Sequence, residues 1–114
     1  MKISAKQVNF TNHAFVNPIE FTSNYSHTQQ SPHDLLWIDS SSDYTVTLPD
    51  PSTIPSGTIV SFITLGTGNL LIQPYNQSGT IDGQSTLTLN STKGVCLVLL
   101  DATNKVWAGL SHYA

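Results

Sequence analysis

The stretch DYTVTLPDPSTIPSGTIVSFITLGTGNLLIQPYNQSGTIDG, residues 43–83, constrains the fold more than any other part of this chain. In DYTVTLP, Tyr44, Val46 and Leu48 share one face, and Asp43, Thr45 and Thr47 share the other. Side chains of an extended chain point alternately to opposite sides, so this pattern reads as a half-buried strand. GTIVSFITL is apolar on both faces, with Ile59, Ile63 and Leu65 against Val60 and Phe62, and reads as a central or interface strand. Between them, PDPSTIPSG carries three prolines and reads as loop. LGTGN turns the chain into LLIQPY, and IDGQ holds the Asp-Gly pair favoured in tight hairpin turns. Leu35 to Asp39 is a short strand, and STLTLN places Leu87 and Leu89 together. GVCLVLL, DATNK and VWAGL read as a hairpin with a five-residue loop. Turn signals recur at about 8–12-residue spacing, which predicts an all-β body over residues 35–114, a small antiparallel β-sandwich or barrel.

Residues 1–34 read differently. MKISAKQVNFTNHAFVNPIEFTSNYSHTQQSPHD is rich in Asn, Thr and Ser and is broken by Pro18 and Pro32. Its apolar residues, Val8, Phe10, Phe15, Val16, Ile19, Phe21 and Tyr25, form short islands without a helical stripe. The segment is expected to be an extended N-terminal arm with one or two short strands. Its large apolar groups predict that it docks on a surface, because a free tail is poor in such residues.

Composition narrows the function. Charged residues make up 10% of the chain, against about 25% in ordinary soluble domains. There is no arginine; the basic residues are Lys2, Lys6, Lys93 and Lys105, and the net charge is -3. Phosphate backbones and anionic membrane surfaces are bound by clustered Lys and Arg, so neither nucleic acid nor membrane is expected as a partner. No apolar run reaches the roughly 18 residues of a membrane span, and MKISAKQVNF lacks the apolar core of a secretory signal. Serine and threonine together supply roughly a quarter of the residues. A surface of hydroxyls and amides offers little charge repulsion to oppose association, and a single small core gains from oligomerisation.

Reactive chemistry is sparse. His13, His27, His33 and His112 fit no closed zinc spacing, including the cluster of His27 with His33 and Asp34, and no cysteine pair supports one. Serines are many, but no G-x-S-x-G elbow is present. Asp50, Asp82 and Asp101 sit in turns, where Asx-type hydrogen bonding accounts for them. LGTGN precedes a strand, so no helix N-terminus follows it to bind phosphate. Cys96, within GVCLVLL, reads as a small buried hydrophobe. No catalytic residue, metal or cofactor is expected, and the chain reads as a non-enzyme. Trp37, Trp107, Tyr25, Tyr44, Tyr75 and Tyr113 read as core or subunit contacts, with sugar stacking as the alternative use of such rings.

The run from Asp43 to Leu110 resembles a β-module of bacteriophage virion proteins. The resemblance rests on YTVTLP, a Pro/Gly loop, a strand, LGTGN, a strand, TIDG, LTL, an apolar strand and then D-x-T-N-x-x-W. Such modules occur in capsid decoration (cement) proteins, head fibres and tail fibres, and are typically trimeric. The resemblance implies a homotrimer on the capsid surface of a virion, bound to the major capsid protein. Among these roles decoration is expected, because the chain is short and leads with an arm in place of a fibre shaft. Val8, Phe10, Phe15, Ile19 and Phe21 are the expected capsid contacts of the arm. Ile59, Phe62, Ile63 and Trp107 are the expected subunit interface. The alternative is a small head- or tail-fibre protein that binds a host-surface glycan through Tyr75 and Asn76.

Overall fold

The computed structural model describes residues 16–112. Apart from two single 3-10 turns, Pro51–Thr53 and Tyr75–Gln77, its regular elements are strands. In chain order they are β1 (Asn17–Glu20), β2 (Tyr25–Ser26), β3 (His33–Ile38), β4 (Tyr44–Thr47), β5 (Ile59–Thr64), β6 (Leu70–Gln73), β7 (Thr80–Ile81), β8 (Leu87–Leu89), β9 (Gly94–Asp101) and β10 (Val106–His112). The first nine fall alternately into two sheets. One has the order β1-β3-β5-β9-β10-β7, and the other β2-β4-β6-β8.

Within residues 17–73 the chain winds. β1, β3 and β5 pair in parallel, as do β2, β4 and β6, so each circuit passes once through each sheet. After β6 the sense changes. β8 runs antiparallel to β6, β9 to β5, and β10 to β9, while β7 lies parallel to β10 at the far edge. The fold is all-β, but its pairing is mixed and not antiparallel throughout. Turn residues bend the chain without choosing between the same sheet and the opposite one. LGTGN therefore carries β5 across to β6 in the other sheet, where a hairpin would have kept both strands together. The β9–β10 hairpin does form as expected, closed by the Asp101–Val106 pair. In IDGQ the central Asp82 and Gly83 both take positive φ, 52° and 78°, and Ile81 and Gln84 exchange both backbone hydrogen bonds. This is the tight turn expected of Asp-Gly.

The described part of the expected arm belongs to the body. β1 lies alongside β3 with Asn17 opposite Asp34 and Ile19 opposite Leu36, and β2 lies alongside β4. Residues 16–34 form the first circuit, so the boundary expected near residue 34 falls at the second residue of β3.

Successive circuits are held together at their arches, residues 21–24, 39–43 and 65–69. Phe21 N donates to Trp37 O, Leu65 N to Ile38 O and Gly68 N to Ser40 O, at 2.9–3.0 Å. Asn24 Oδ1 accepts from Thr45 N, and Asp43 Oδ1 from Asn69 N, both at 2.9 Å. Each of these two arches thus ends in an Asn or Asp whose side chain binds the amide stacked on it in the next circuit. The last arch sits so close to the one before that side chains are excluded. A Cβ at Gly66 would strike the Ser40 carbonyl, and one at Gly68 the Ser42 carbonyl.

The inner faces of both sheets share one core. Leu36, Val60, Phe62, Leu97, Leu99 and Trp107 enter it from the six-stranded sheet, and Val46, Leu70, Ile72 and Leu89 from the other. Gly68→Ala is expected to destabilise the protein by about 2 kcal/mol or more, because backbone is the atom in the way. Urea denaturation checks this, and an unchanged midpoint would show that the arches do not need glycine.

Candidate functional site

Two apolar faces are built into the six-stranded sheet, and the described residues cover one of them as the core. In β3, β5 and β9 alternate residues are buried, yet the residues between them are largely apolar as well. The pairings place them in rows across the outer face. His33, Ile59, Val98 and Ala108 form one row; Pro18, Leu35, Ser61 and Cys96 a second; Glu20, Trp37 and Ile63 a third. Leu100 adds to the face at 57% exposure, and Leu110, at a β-bulge in β10, is 62% exposed. Among the described residues on this face, the charged side chain is Glu20, at the free edge. His33 Nε2 is 2.7 Å from Ser61 Oγ, which ties up two of its polar groups. A depression of about 370 Å³ lies among Val16, His33, Leu35, Ser61, Ile63 and Cys96, where the small residues leave room beside the larger ones.

The four-stranded sheet is the opposite case. Its outward positions are Ser26, Thr45, Thr47, Leu71, Gln73 and Thr88, all polar but one. A one-sided strand alternates apolar and polar, and a strand covered on both sides does not. By that measure the four-stranded sheet is finished by water, and the outer face of the six-stranded sheet is left uncovered by the described residues. Covering a half-exposed Leu or Ile is worth about 1 kcal/mol. Leu100 is 57% exposed, while Leu35, Trp37, Ile59, Ile63 and Val98 are partly buried, so each of these would gain less than that. The sheet edges are unsuited to strand addition: β2, β7 and β8 have two or three residues, and β1 carries Pro18.

The expected interface residues divide. Ile59 and Ile63 lie on the outer face. Phe62 and Trp107 are 0% and 1% exposed and belong to the core, so neither reaches another subunit. Period-2 alternation separates Phe62 from its neighbours, and β10 turns Trp107 inward opposite Leu99. Of the expected arm contacts, Phe21 is buried in the core at 5% exposure, and Ile19 is half-buried and packed against it. What holds them there is the parallel pairing of β1 with β3, which leaves no local mark in the sequence. Val8, Phe10 and Phe15 lie outside the described residues. Leu35, Trp37, Val98 and Leu100 complete the face and are not among the expected contacts. Their signal is the one recognised in GTIVSFITL, since HDLLWI and GVCLVLL are also apolar on both faces. Cys96 is half-buried on the outer face and not in the core.

The buried titratable residues form a sealed junction. His27 and Asp34 have fully buried side chains, with His27 Nε2 2.8 Å from Asp34 Oδ2. Asp34 also accepts from Gln30 N at 2.7 Å, Ser31 Oγ at 2.7 Å and Asn17 Nδ2 at 3.0 Å. Tyr25 Oη lies 3.3 Å from His27 Nδ1. Burial raises the Asp34 pKa, but hydrogen bonds from Gln30, Ser31, Asn17 and His27 outweigh it and hold the carboxyl below its ordinary 3.8. The pair joins β1, the β2–β3 link and β3. Both carboxylate oxygens are occupied by the protein, so the cluster reads as a structural node. Among the described residues no group of three or more His, Cys, Asp or Glu is placed to hold a metal ion. Asp50 and Asp101 bind nearby backbone amides, as turn residues do, whereas Asp82 reaches across to Gly109 N at 2.6 Å.

No protein-family model matches the chain, and no curated protein matches it significantly.

Asp34→Ala is expected to destabilise the fold by about 3–5 kcal/mol, because it leaves buried donors without an acceptor. The Asp34 pKa is lower folded than unfolded. Its contribution is therefore complete above the unfolded value and is lost as pH falls through the folded one, below ~pH 4. Stability measured from pH 7 to pH 2 should fall less steeply in Asp34→Ala below ~pH 4; parallel curves would contradict this.

Proposed function

We propose that this chain is a non-catalytic structural protein of a bacteriophage virion, a capsid decoration protein folded as a β-sandwich. In this reading it assembles as a homotrimer through the outer face of its six-stranded sheet and binds the major capsid shell. The observation that carries the assembly part is that face. It is apolar across β3, β5, β9 and β10 while the other sheet is polar outside, and the short or proline-bearing edges leave it as the main adhesive surface. The capsid part rests on the resemblance of residues 43–110 to virion β-modules.

The contacts are revised from those expected. Ile59 and Ile63 keep their interface role, joined by Leu35, Trp37, Val98 and Leu100. Phe21 gives up its capsid role to the core. Capsid contact is assigned to residues 1–15, which carry Val8, Phe10 and Phe15. Many weak contacts from three copies act together through effective concentration, so no single one needs to be strong.

Ile63→Lys is expected to convert the oligomer to monomer while changing monomer stability by about 1 kcal/mol, because Ile63 lies partly exposed on the outer face and not in the core. Light scattering after size exclusion and thermal melting read the two effects. An oligomer that survives both Ile63→Lys and Ile59→Lys would remove the face from the assembly.

The copy number of the chain in purified particles tests the capsid role. A ratio within a small factor of the major capsid protein is expected, and loss of residues 1–15 should release the protein from particles without unfolding it. A trace ratio, or absence from particles, would overturn the decoration reading.

A further inference from the structure

The outward side of the four-stranded sheet ends in a polar cleft of about 420 Å³, lined by Ser26, Thr47, Gln73, Tyr75, Asn76 and Gln77. Ser26, Thr47 and Gln73 stand side by side on β2, β4 and β6 because those strands pair in register. Gln73 Nε2 donates to Thr47 Oγ1 at 2.9 Å, which sets the orientation of that carboxamide. The other wall is the 3-10 turn Tyr75–Gln77, with Tyr75 39% exposed.

Two observations separate this cleft from ordinary polar surface. Asn76 and Gln77 both take left-handed backbone, with φ of 52° and 54°. Such a conformation costs a residue with a Cβ about 1 kcal/mol or more, and two in succession are unusual. Two residues on, the same loop uses Gly79 at φ 108°. At 76 and 77 the chain instead keeps two carboxamides. Neither carboxamide, nor the Tyr75 hydroxyl, makes a hydrogen bond to another described residue, so the described fold does not use them.

We propose that this cleft is a binding site for an uncharged saccharide. The lining offers hydroxyl, carboxamide and phenol groups that both donate and accept, as sugar hydroxyls require. Tyr75 supplies a ring face for the C–H side of a pyranose. Among the described residues no charged side chain lines the cleft, so an anionic ligand would shed water without gaining a counter-charge. An apolar ligand would strand the carboxamides. The site lies on the sheet opposite the apolar face, so a copy bound through that face leaves it accessible.

The test is binding of the purified full-length protein to immobilised uncharged hexose and N-acetylhexosamine oligosaccharides, with acidic oligosaccharides alongside. Binding to at least one uncharged oligosaccharide is expected, reduced about tenfold in Tyr75→Ala and largely kept in Tyr75→Phe. Asn76→Gly is expected to raise the melting temperature by relieving the backbone while weakening binding, a combination that a purely structural turn would not produce. Binding confined to acidic oligosaccharides, binding to none, or affinity unchanged in both Tyr75→Ala and Asn76→Gly would overturn the proposal. The assay uses no particles, so its failure would leave the assembly reading untouched.

Discussion

The register between successive circuits is the constraint on which the rest depends. Neighbouring strands must lie about 4.8 Å apart, and the arches that connect them must keep the same spacing although they are not strands. Residues 39–43 and 65–69 meet that demand by letting backbone approach backbone, which only Gly66 and Gly68 permit. Asn24 and Asp43 then lock each arch to the next through a side-chain oxygen. A slip of one residue would exchange the inward and outward rows of every strand in the stack. The arches therefore decide which residues form the core and which face outward.

From that register follows the asymmetry of the molecule. Val60 and Phe62 are turned into the core, so Ile59 and Ile63 must face out. The same parity puts Leu35 and Trp37 outside on β3, and Val98 and Leu100 outside on β9. On the other sheet it puts Thr45, Thr47 and Gln73 outside. One sheet thus presents hydrocarbon and the other hydroxyls and amides, on opposite sides of a common core. In the proposed reading, adhesion to another protein and recognition of a polar ligand fall on these two separate surfaces. The Asp34 node serves the same architecture from within. It gathers Asn17 from the first circuit, and His27, Gln30 and Ser31 from the link to the second, around one carboxylate.

Parts of this are legible in the residues alone. Tyr44, Val46 and Leu48 alternate as a strand must, Asp82-Gly83 forms its tight turn, and the β9–β10 hairpin closes where the sequence suggests. The apolar outer face is half legible. GTIVSFITL reveals it, and HDLLWI and GVCLVLL carry the same two-sided pattern. Phe62 and Trp107, expected at the interface, face the core, because composition marks a strand as apolar on both sides without saying which side is inward. The circuits themselves are hidden. Asp43-Tyr44 and Asn69-Leu70 occupy equivalent places, but Tyr25 lies opposite Val46, and the long proline loop between β4 and β5 makes the second circuit longer than the first. No fixed period survives in the sequence.

What the sequence determined by itself is local: where the strands are and where the chain turns. These depend on neighbours along the chain, through backbone sterics and the alternation of side chains. Only the tertiary structure decided which strands meet, that residues 17–34 belong to the body, and that His27 and Asp34 share one buried site. Those outcomes depend on contacts between residues far apart in sequence. A turn such as LGTGN is compatible with either partner sheet, and packing of the whole core selects between them.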